Sequence, residues 1–509
     1  MPRRHHPPSL KRASLLSISE HFDLICYGDD DNDVIRDIIE SDDYLKIEGP
    51  FSNLPGLVLA EMLEVVGEKK VLHRKHLHML LHSQLERLSL AFGVGDVISG
   101  FTFIKSRCKN LRHLNLSYLR HLNPGVLIDL LPNLKKLVSL NLRMTLAVDE
   151  VLGVIGRNCT ELLDLNISGT PVTDRGLVQL SVSESGDPQC QKLSRIVITE
   201  TWISSAGAAI LLRFLPNLCE FDYDNIFEAL DIVNHWTIEL EQRLLSRGGV
   251  RMSSRPIPIP NKMRLKTLIS ITDIIRTDSL QAAVRQCPDA TSVSITNAWI
   301  KNEDLYKLMV LDRLTNLSLT NCDGLTLDFD VGVLPLLTVC GHQLHSLILT
   351  NFTNINIPDI GKACPVIHNI AFSNVATYEL GPVCPDHFNN LEAMELWADT
   401  DADLNPNLIK QMIEFSPNMK NLLLKGCGVL TDKLLFEIMQ ENKLGKLSHL
   451  TLDHCHNVSF SALEYIVNMD NDLSMLRIWS CESITKSVSC QITSLIEKGN
   501  MDIYFDFYT

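Results

Sequence analysis

The sequence contains no uninterrupted apolar run of the roughly 18 to 20 residues that a membrane span needs. Its opening, MPRRHHPPSLKRASLL, is basic and has no apolar segment of the secretory kind. An intracellular protein without a membrane partner is expected. There is no excess of positive charge either: 46 Lys and Arg against 61 Asp and Glu leave −15 at pH 7, with a pI near 5.6. Nucleic acid is therefore excluded as a default partner. No CxxC pair occurs, and the 14 cysteines are spread over 509 residues, so reduced thiols are expected rather than a disulfide scaffold or a metal centre. Six N-x-S/T triplets, at Asn115, Asn158, Asn166, Asn316, Asn351 and Asn457, then read as by-products of a segment type rich in Asn, Ser and Thr.

Enzyme signatures are missing as well. HExxH, GxxxxGK[ST] and GxSxG are absent. In LSLAFGVGDVISG, Gly93 and Gly95 follow a strand pattern, but Gly100 comes two residues late for a dinucleotide loop, and a turn is expected there. The histidines of LHRKHLHMLLH (His73, His76, His78 and His82) form the densest cluster, and His78 with His82 would share a helix face at i, i+4 spacing as zinc ligands do. No Cys or acidic ligand is near, so a solvated basic helix face is expected instead, with no metal and no cofactor. Asp453, His454, Cys455 and His456 imitate a nucleophile with its bases, but Cys455 holds a recurring position and reads as a small buried hydrophobe. A non-enzymatic chain is expected.

With 45% hydrophobic and 21% charged residues, close to ordinary globular usage, there is ample material for a core. What fills it is one short phrase repeated fifteen times: LERLSL at 85, LRHLNL at 111, LVSLNL at 137, LLDLNI at 162, LSRIVI at 193, LCEFDY at 218, LKTLIS at 265, ATSVSI at 290, LTNLSL at 314, LHSLIL at 344, IHNIAF at 367, LEAMEL at 391, MKNLLL at 419, LSHLTL at 447 and LSMLRI at 473. The mean spacing near 28 falls in the 20 to 29 residue class of repeats and below the helical ones. Alternation within LxxLxL predicts a short strand with apolar residues inward. After most strands the spacing turns helical, as in TDRGLVQLSV at 173 and TDKLLFEIMQ at 431, each opened by a Thr-Asp able to cap it. One strand and one helix cannot bury their apolar faces alone, so the units must stack.

Several units carry Cys before the strand (Cys108, Cys159, Cys287, Cys364) and others Cys after it (Cys322, Cys427, Cys455, Cys481). With MKNLLLKGCGVLTDKLL, this resembles the cysteine-containing leucine-rich repeat over about residues 85 to 495. The resemblance implies an α/β leucine-rich-repeat solenoid, a horseshoe with a small helical amino-terminal domain. Such repeats are best known in the F-box substrate receptors of cullin ubiquitin ligases. The expected layout is a basic disordered tail at 1–13, a helical adaptor-binding or capping region at 14–84, repeats at 85–495 with an inserted loop at 247–264, and a carboxy-terminal cap at 496–509. Within the 47-residue interval from 218 to 265, EALDIVNHWTIELEQRLL reads as one longer amphipathic helix. The basic loop after it is an exposed insertion, with Ser253 and Ser254 as modification candidates.

The amino-terminal region predicts a helix over 14–28, an acidic DDDND stretch, and a second helix started by Asn53, Leu54 and Pro55 with Leu57, Leu59, Met62, Leu63, Val65 and Val66 on one face. Leu54, Pro55, Glu61, Met62 and Leu63 resemble the opening of an F-box, although KKVLHRKHLHMLLHSQ replaces its Val-Cys-Arg-Trp-like helix. Ser14, Leu15 and Leu16 resemble the opening of the box by which zyg-type receptors hold elongin, with Ser19 where that box has Cys. These resemblances imply a Skp-type or elongin-type adaptor and a cullin as partners, on Leu15, Leu16, Leu54, Pro55, Met62 and Leu63. A plain amino-terminal cap explains the same residues.

The outward strand positions define a concave face. Early strands place Arg87, His113, Asn115, Ser139, Asn141, Arg143, Asp164, Asn166 and Ser168 there, a polar surface, followed by an acidic patch at Glu220, Asp222 and Asp224. Late strands place Glu395, Trp397, Leu423, Lys425, His449, Thr451, Asp453, Met475, Arg477 and Trp479. Aromatic and Arg side chains on consecutive strands are the composition that carries energy at protein interfaces. The substrate site is therefore expected at Glu395, Trp397, Lys425, His449, Asp453, Arg477 and Trp479. A protein-binding substrate receptor is the leading reading, and a leucine-rich-repeat scaffold without a ligase the alternative.

Overall fold

The computed structural model describes residues 9–27, 49–69, 72–91, 98–251, 262–271, 275, 277–296, 300–321, 327–381, 387–398 and 404–508. The 1–8 tail, the DDDND stretch, Gly93 and Gly95, Ser253 and Ser254 with most of their loop, and Cys322 lie outside these residues. All fifteen repeat phrases carry a strand. The chain divides into two compact units, Pro8–Leu265 and Lys266–Thr509.

In the first unit, β1 (Arg87–Ser89), β2 (His113–Asn115), β3 (Ser139–Asn141), β4 (Asp164–Asn166), β5 (Arg195–Val197) and β6 (Glu220–Asp222) pair in parallel and in chain order. Their middle residues, Leu88, Leu114, Leu140, Leu165, Ile196 and Phe221, are all buried, so the apolar column runs beneath the sheet while the flanking residues face the other way. Each such side chain stabilises the stack by about 1.5–3 kcal/mol relative to leaving it in water.

The second unit repeats the plan with β7 (Thr267–Ser270), β8 (Ser292–Ile295), β9 (Asn316–Thr320), β10 (Ser346–Thr350), β11 (Asn354–Asn356), β12 (Asn369–Ser373), β13 (Thr377–Glu379), β14 (Ala393–Trp397), β15 (Asn421–Lys425), β16 (His449–Asp453), β17 (Met475–Trp479) and β18 (Tyr504–Tyr508). Ten of these form one parallel sheet, while β11 and β13 pair separately. Each unit is a leucine-rich-repeat array. At the strand exits the chain turns through positive φ at Asn351, Asn374, Gly426, His454 and Ser480, so that each of these N–H groups donates to the last carbonyl of the next strand. Only Gly426 is a glycine among them, and a Cβ there would meet the Ala398 carbonyl at 2.1 Å.

The Thr-Asp openings do two jobs. Thr173 and Thr431 cap the helices Asp174–Ser181 and Asp432–Glu441. The aspartates reach into the next repeat: Asp174 accepts from the Ser204 backbone N–H (2.8 Å) and hydroxyl (2.6 Å), and Asp432 from those of Ser459. Asp149 holds Thr173 in the same way, so successive helices are stapled through their first turns. Segment 226–247 differs from expectation. It is two helices, Ile226–Asn234 and Ile238–Arg247, because Thr237 caps a fresh start by accepting from the Leu240 N–H. The amino-terminal region likewise breaks into Leu10–Glu20 and Phe22–Tyr27, followed by Gly56–Lys69 and Arg74–Leu80.

The histidine cluster is not a solvated face. His76 and His78 are buried, His76 with its ring edge-on to Phe22 at 5.1 Å and His78 against Phe103 at 5.3 Å. Arg107 donates to the His78 carbonyl and ring. The helix ends at Leu80, so His78 and His82 do not share a face; His82 donates instead to the Met79 carbonyl. Aromatic neighbours from other elements override the local polarity of the segment. Among the described residues no helix is long and apolar enough to cross a membrane, and no group of three His, Cys, Asp or Glu is placed to hold a metal ion.

Candidate functional site

Strand register decides which side chains meet on the open face of the second sheet. Trp397, Lys425, Asp453 and Trp479 are direct partners on β14, β15, β16 and β17, and Tyr508 continues the row on β18. Glu395, Leu423, Thr451, Arg477 and Asp506 form the neighbouring row, and His449 and Met475 lie in a third with Tyr504. Strands spaced about 4.8 Å apart bring these groups within reach of one another.

The contacts are specific. The Lys425 ammonium sits 5.1 Å from the Trp397 ring centroid and 3.1 Å from the Asp453 carboxylate. Asp453 also pairs with His454 at 2.6 Å. One strand on, the Arg477 guanidinium lies 5.6 Å from the Trp479 ring, while the indole N–H of Trp479 donates to Asp506 at 3.2 Å. Arg477 and Asp506 approach to 4.0 Å. Two aromatic–cation–carboxylate sets therefore stand side by side, each holding its own rotamers. Trp397 is 41% exposed, Tyr504 62% and Tyr508 69%, whereas Trp479 is half-buried. Glu395 and His449 are exposed at the margin, His449 bonded to Ser448 at 2.8 Å.

Asp506, Tyr504 and Tyr508 were not among the candidates from sequence. The alternation of Met501, Ile503, Phe505 and Phe507 marks the segment as a covering strand, and its intervening residues carried the missing signal. Cys455 is fully buried with its thiol directed at the Leu424 and Asp453 carbonyls, and its pKa is raised, first by a hydrogen bond with Cys427 and then by burial. It offers no nucleophile, and the His454–Asp453 pair serves the surface row. In the acidic patch, Glu220 is paired with Arg195 at 3.3 Å, and burial raises the carboxyl pKa of Asp222 and Asp224.

The amino-terminal candidates scatter. Leu15, Met62 and Leu63 are buried, Leu16 and Leu54 are half-buried, and Pro55 is exposed. Leu59, Val65 and Val66 are buried too, and the helix Gly56–Lys69 packs against β1. Ser19 is buried with its hydroxyl lacking a partner among the described residues. The large apolar side chains that this region exposes among the described residues are Leu10, Leu24, Ile25 and Leu57.

No protein-family model matches the chain. Among solved structures, a chain of the crystal structure of the Rad7 and Elc1 complex in yeast is similar over 92% of this chain and 98% of that one, at 14% identity and a TM-score of 0.47. A chain of the TLR13–ssRNA13 complex is similar over 88% of this chain and 64% of that one, at 15% identity and a TM-score of 0.39. The fold assignment rests on the two parallel sheets and their repeat register.

Proposed function

We propose that the chain is a non-enzymatic protein-binding receptor, the substrate-recognition subunit of a cullin-type ubiquitin ligase, which holds its substrate on the open face of β14 to β18. The observation that carries the binding role is the row Trp397, Lys425, Asp453, Trp479 and Tyr508. Pre-paired aromatic and charged groups on rigid strands lose little freedom on binding, and truncating an anchor of this kind typically costs at least about 2 kcal/mol, or roughly thirty-fold in affinity. The adaptor, Skp-type or elongin-type, would sit on the exposed Leu10, Leu24, Ile25 and Leu57 with Leu16, Leu54 and Pro55 beside them.

A second reading has its own observation. The helix Gly56–Lys69 turns Leu59, Met62 and Leu63 inward and covers the free edge of β1, which is what a cap does in a scaffold that binds no ligase. Pull-downs of purified Skp-type and elongin-type adaptors decide between them. Capture by the wild-type chain, lost in Leu57→Asp or in the double variant Leu24→Asp with Ile25→Asp at unchanged thermal midpoint, supports the ligase reading. Capture of neither adaptor leaves the scaffold. With the substrate recovered by affinity purification, Trp397→Ala is expected to weaken binding at least about tenfold; a folded variant that binds normally moves the site off this face.

A further inference from the structure

The first sheet holds a cavity of about 430 Å³ on its open face, walled on one side by Ala60 and Glu64 of the helix Gly56–Lys69. Its floor is a ladder of amides. Asn115, Asn141 and Asn166 are register partners on β2, β3 and β4. Each turns its side-chain oxygen to a backbone N–H two residues on, that of Ser117 (3.1 Å), Arg143 (3.0 Å) and Ser168 (3.0 Å). The oxygens are thus occupied, which fixes the orientation of the amides and leaves three NH2 groups, all donors, on residues that line the cavity.

Around the ladder the carboxylates of Glu64 and Asp164 keep their charge, whereas the basic groups are mostly spent. Arg195 is paired with Glu220, and Asp164 accepts from the Ser139 hydroxyl at 2.9 Å. The imidazole of His113 is held below its ordinary pKa by burial and by Arg87 and Arg112, so it adds no charge at neutral pH. Arg87 is different. It lines the cavity from β1, is exposed, and makes no ion pair or hydrogen bond among the described residues. The site therefore presents one unspent cation beside a row of neutral donors. A doubly charged phosphate would meet Glu64 and Asp164 on the same walls with twice the charge of a single side-chain carboxylate, whose one charge Arg87 balances and whose following main-chain carbonyls are neutral.

We propose that this cavity is a second peptide-binding site, which receives an extended segment of a partner protein with an acidic side chain on Arg87 and main-chain carbonyls on the amides of Asn115, Asn141 and Asn166. Amide ladders suit this task because a peptide backbone offers carbonyls at regular intervals whatever its sequence, while the carboxylate sets the register. The site is independent of the aromatic row on the other sheet.

The test uses the full chain and three pools of fluorescein-labelled random nonapeptides, N-acetylated and C-amidated, with Glu, Gln or Lys fixed at the centre, read by fluorescence anisotropy. The Glu pool is expected to bind at least about tenfold tighter than the others, the effect of one charge-assisted hydrogen-bonded pair. Arg87→Ala should erase that preference. Asn141→Asp, which keeps the oxygen that holds the Arg143 N–H but replaces the donor with an acceptor, should weaken the Glu pool by a similar factor. Trp397→Ala should leave the preference intact. Equal binding of the three pools, no binding of any, or a preference that survives Arg87→Ala overturns the proposal, and so does a preference lost in Trp397→Ala, which would assign it to the second sheet. If Asn141→Asp lowers the thermal midpoint, Arg87→Ala decides alone, since the Arg87 side chain has no partner among the described residues to lose.

Discussion

A thiol buried at the seam between repeats keeps its proton because a thiolate there would have lost its water. Burial pushes Cys108, Cys159, Cys190, Cys287, Cys364 and Cys481 up to about 12, from 9.0 for a free thiol. The described cysteines are all free, so these are small apolar spacers, and the weak S–H donors of Cys108, Cys190 and Cys481 find backbone carbonyls, Cys481 those of Leu452 and Trp479. The consequence is a pH dependence with a definite sign. Below about pH 9 the thiols are protonated folded and unfolded alike, and their contribution is fully present. Above it the unfolded chain releases protons that the folded chain retains, so stability falls as pH rises toward 12, by about 1 kcal/mol per pH unit for each thiol. Urea midpoints measured between about pH 9 and pH 11 should therefore drop more steeply in the wild type than in Cys159→Ala with Cys287→Ala. Parallel slopes would assign the alkaline loss to other groups.

At the scale of elements, what was legible in the sequence is what the repeat period imposes, and what was hidden depends on partners distant in the chain. Leu114, Leu140 and Leu165 announced their strands because alternation leaves one face to bury. Trp397 and Lys425 could be placed on one row because parallel strands in register carry repeat position directly into space. The break at Thr237 could not be read, since an amphipathic pattern runs through it, and neither could the burial of His76 and His78 beneath Phe22 and Phe103. The same holds for the ion pair that anchors the inserted helix Ile238–Arg247. Arg213, 3% exposed, lies 3.2 Å from Glu241, and the Trp236 indole N–H donates to the same carboxylate at 2.8 Å. Removing one partner of a buried pair strands the other charge, at a cost of about 3–5 kcal/mol. Glu241→Ala should lower the thermal midpoint and open hydrogen exchange across Ile238–Arg247 first, while Arg213→Met with Glu241→Leu, which removes both charges, should recover much of the loss. Unchanged exchange in the single variant would mean that apolar packing alone holds this helix.

At the scale of the whole chain, a repeat array must end, and the edge strands β1 of the first sheet and β18 of the second are treated differently. The free edge of β1 is covered by the helix Gly56–Lys69, whose Leu59, Met62, Leu63, Val65 and Val66 point inward. The other terminal strand, β18, pairs with β17 on one side only; Phe505 and Phe507 are half-buried over Leu476 and Ile478, while Met501 and Ile503 are buried. The last strand is thus both a cover for the repeat before it and a sheet edge in its own right. Its outward residues protect that edge to a degree, because Asp506 places a charge at the strand centre and is held there by Trp479. Deleting residues 501–509 removes the cover and the charge together, leaving Leu476 and Ile478 under a bare β17 edge. The truncated chain should aggregate on concentration and melt several degrees below the full chain, with the first loss of hydrogen-exchange protection in β17, the strand that has lost its neighbour. Asp506→Ala separates the two roles: it keeps the apolar cover but removes the edge charge, so it should preserve the thermal midpoint and still raise the tendency to self-associate in light scattering. A truncation that stays monomeric with an unchanged midpoint would show that β17 closes the array by itself.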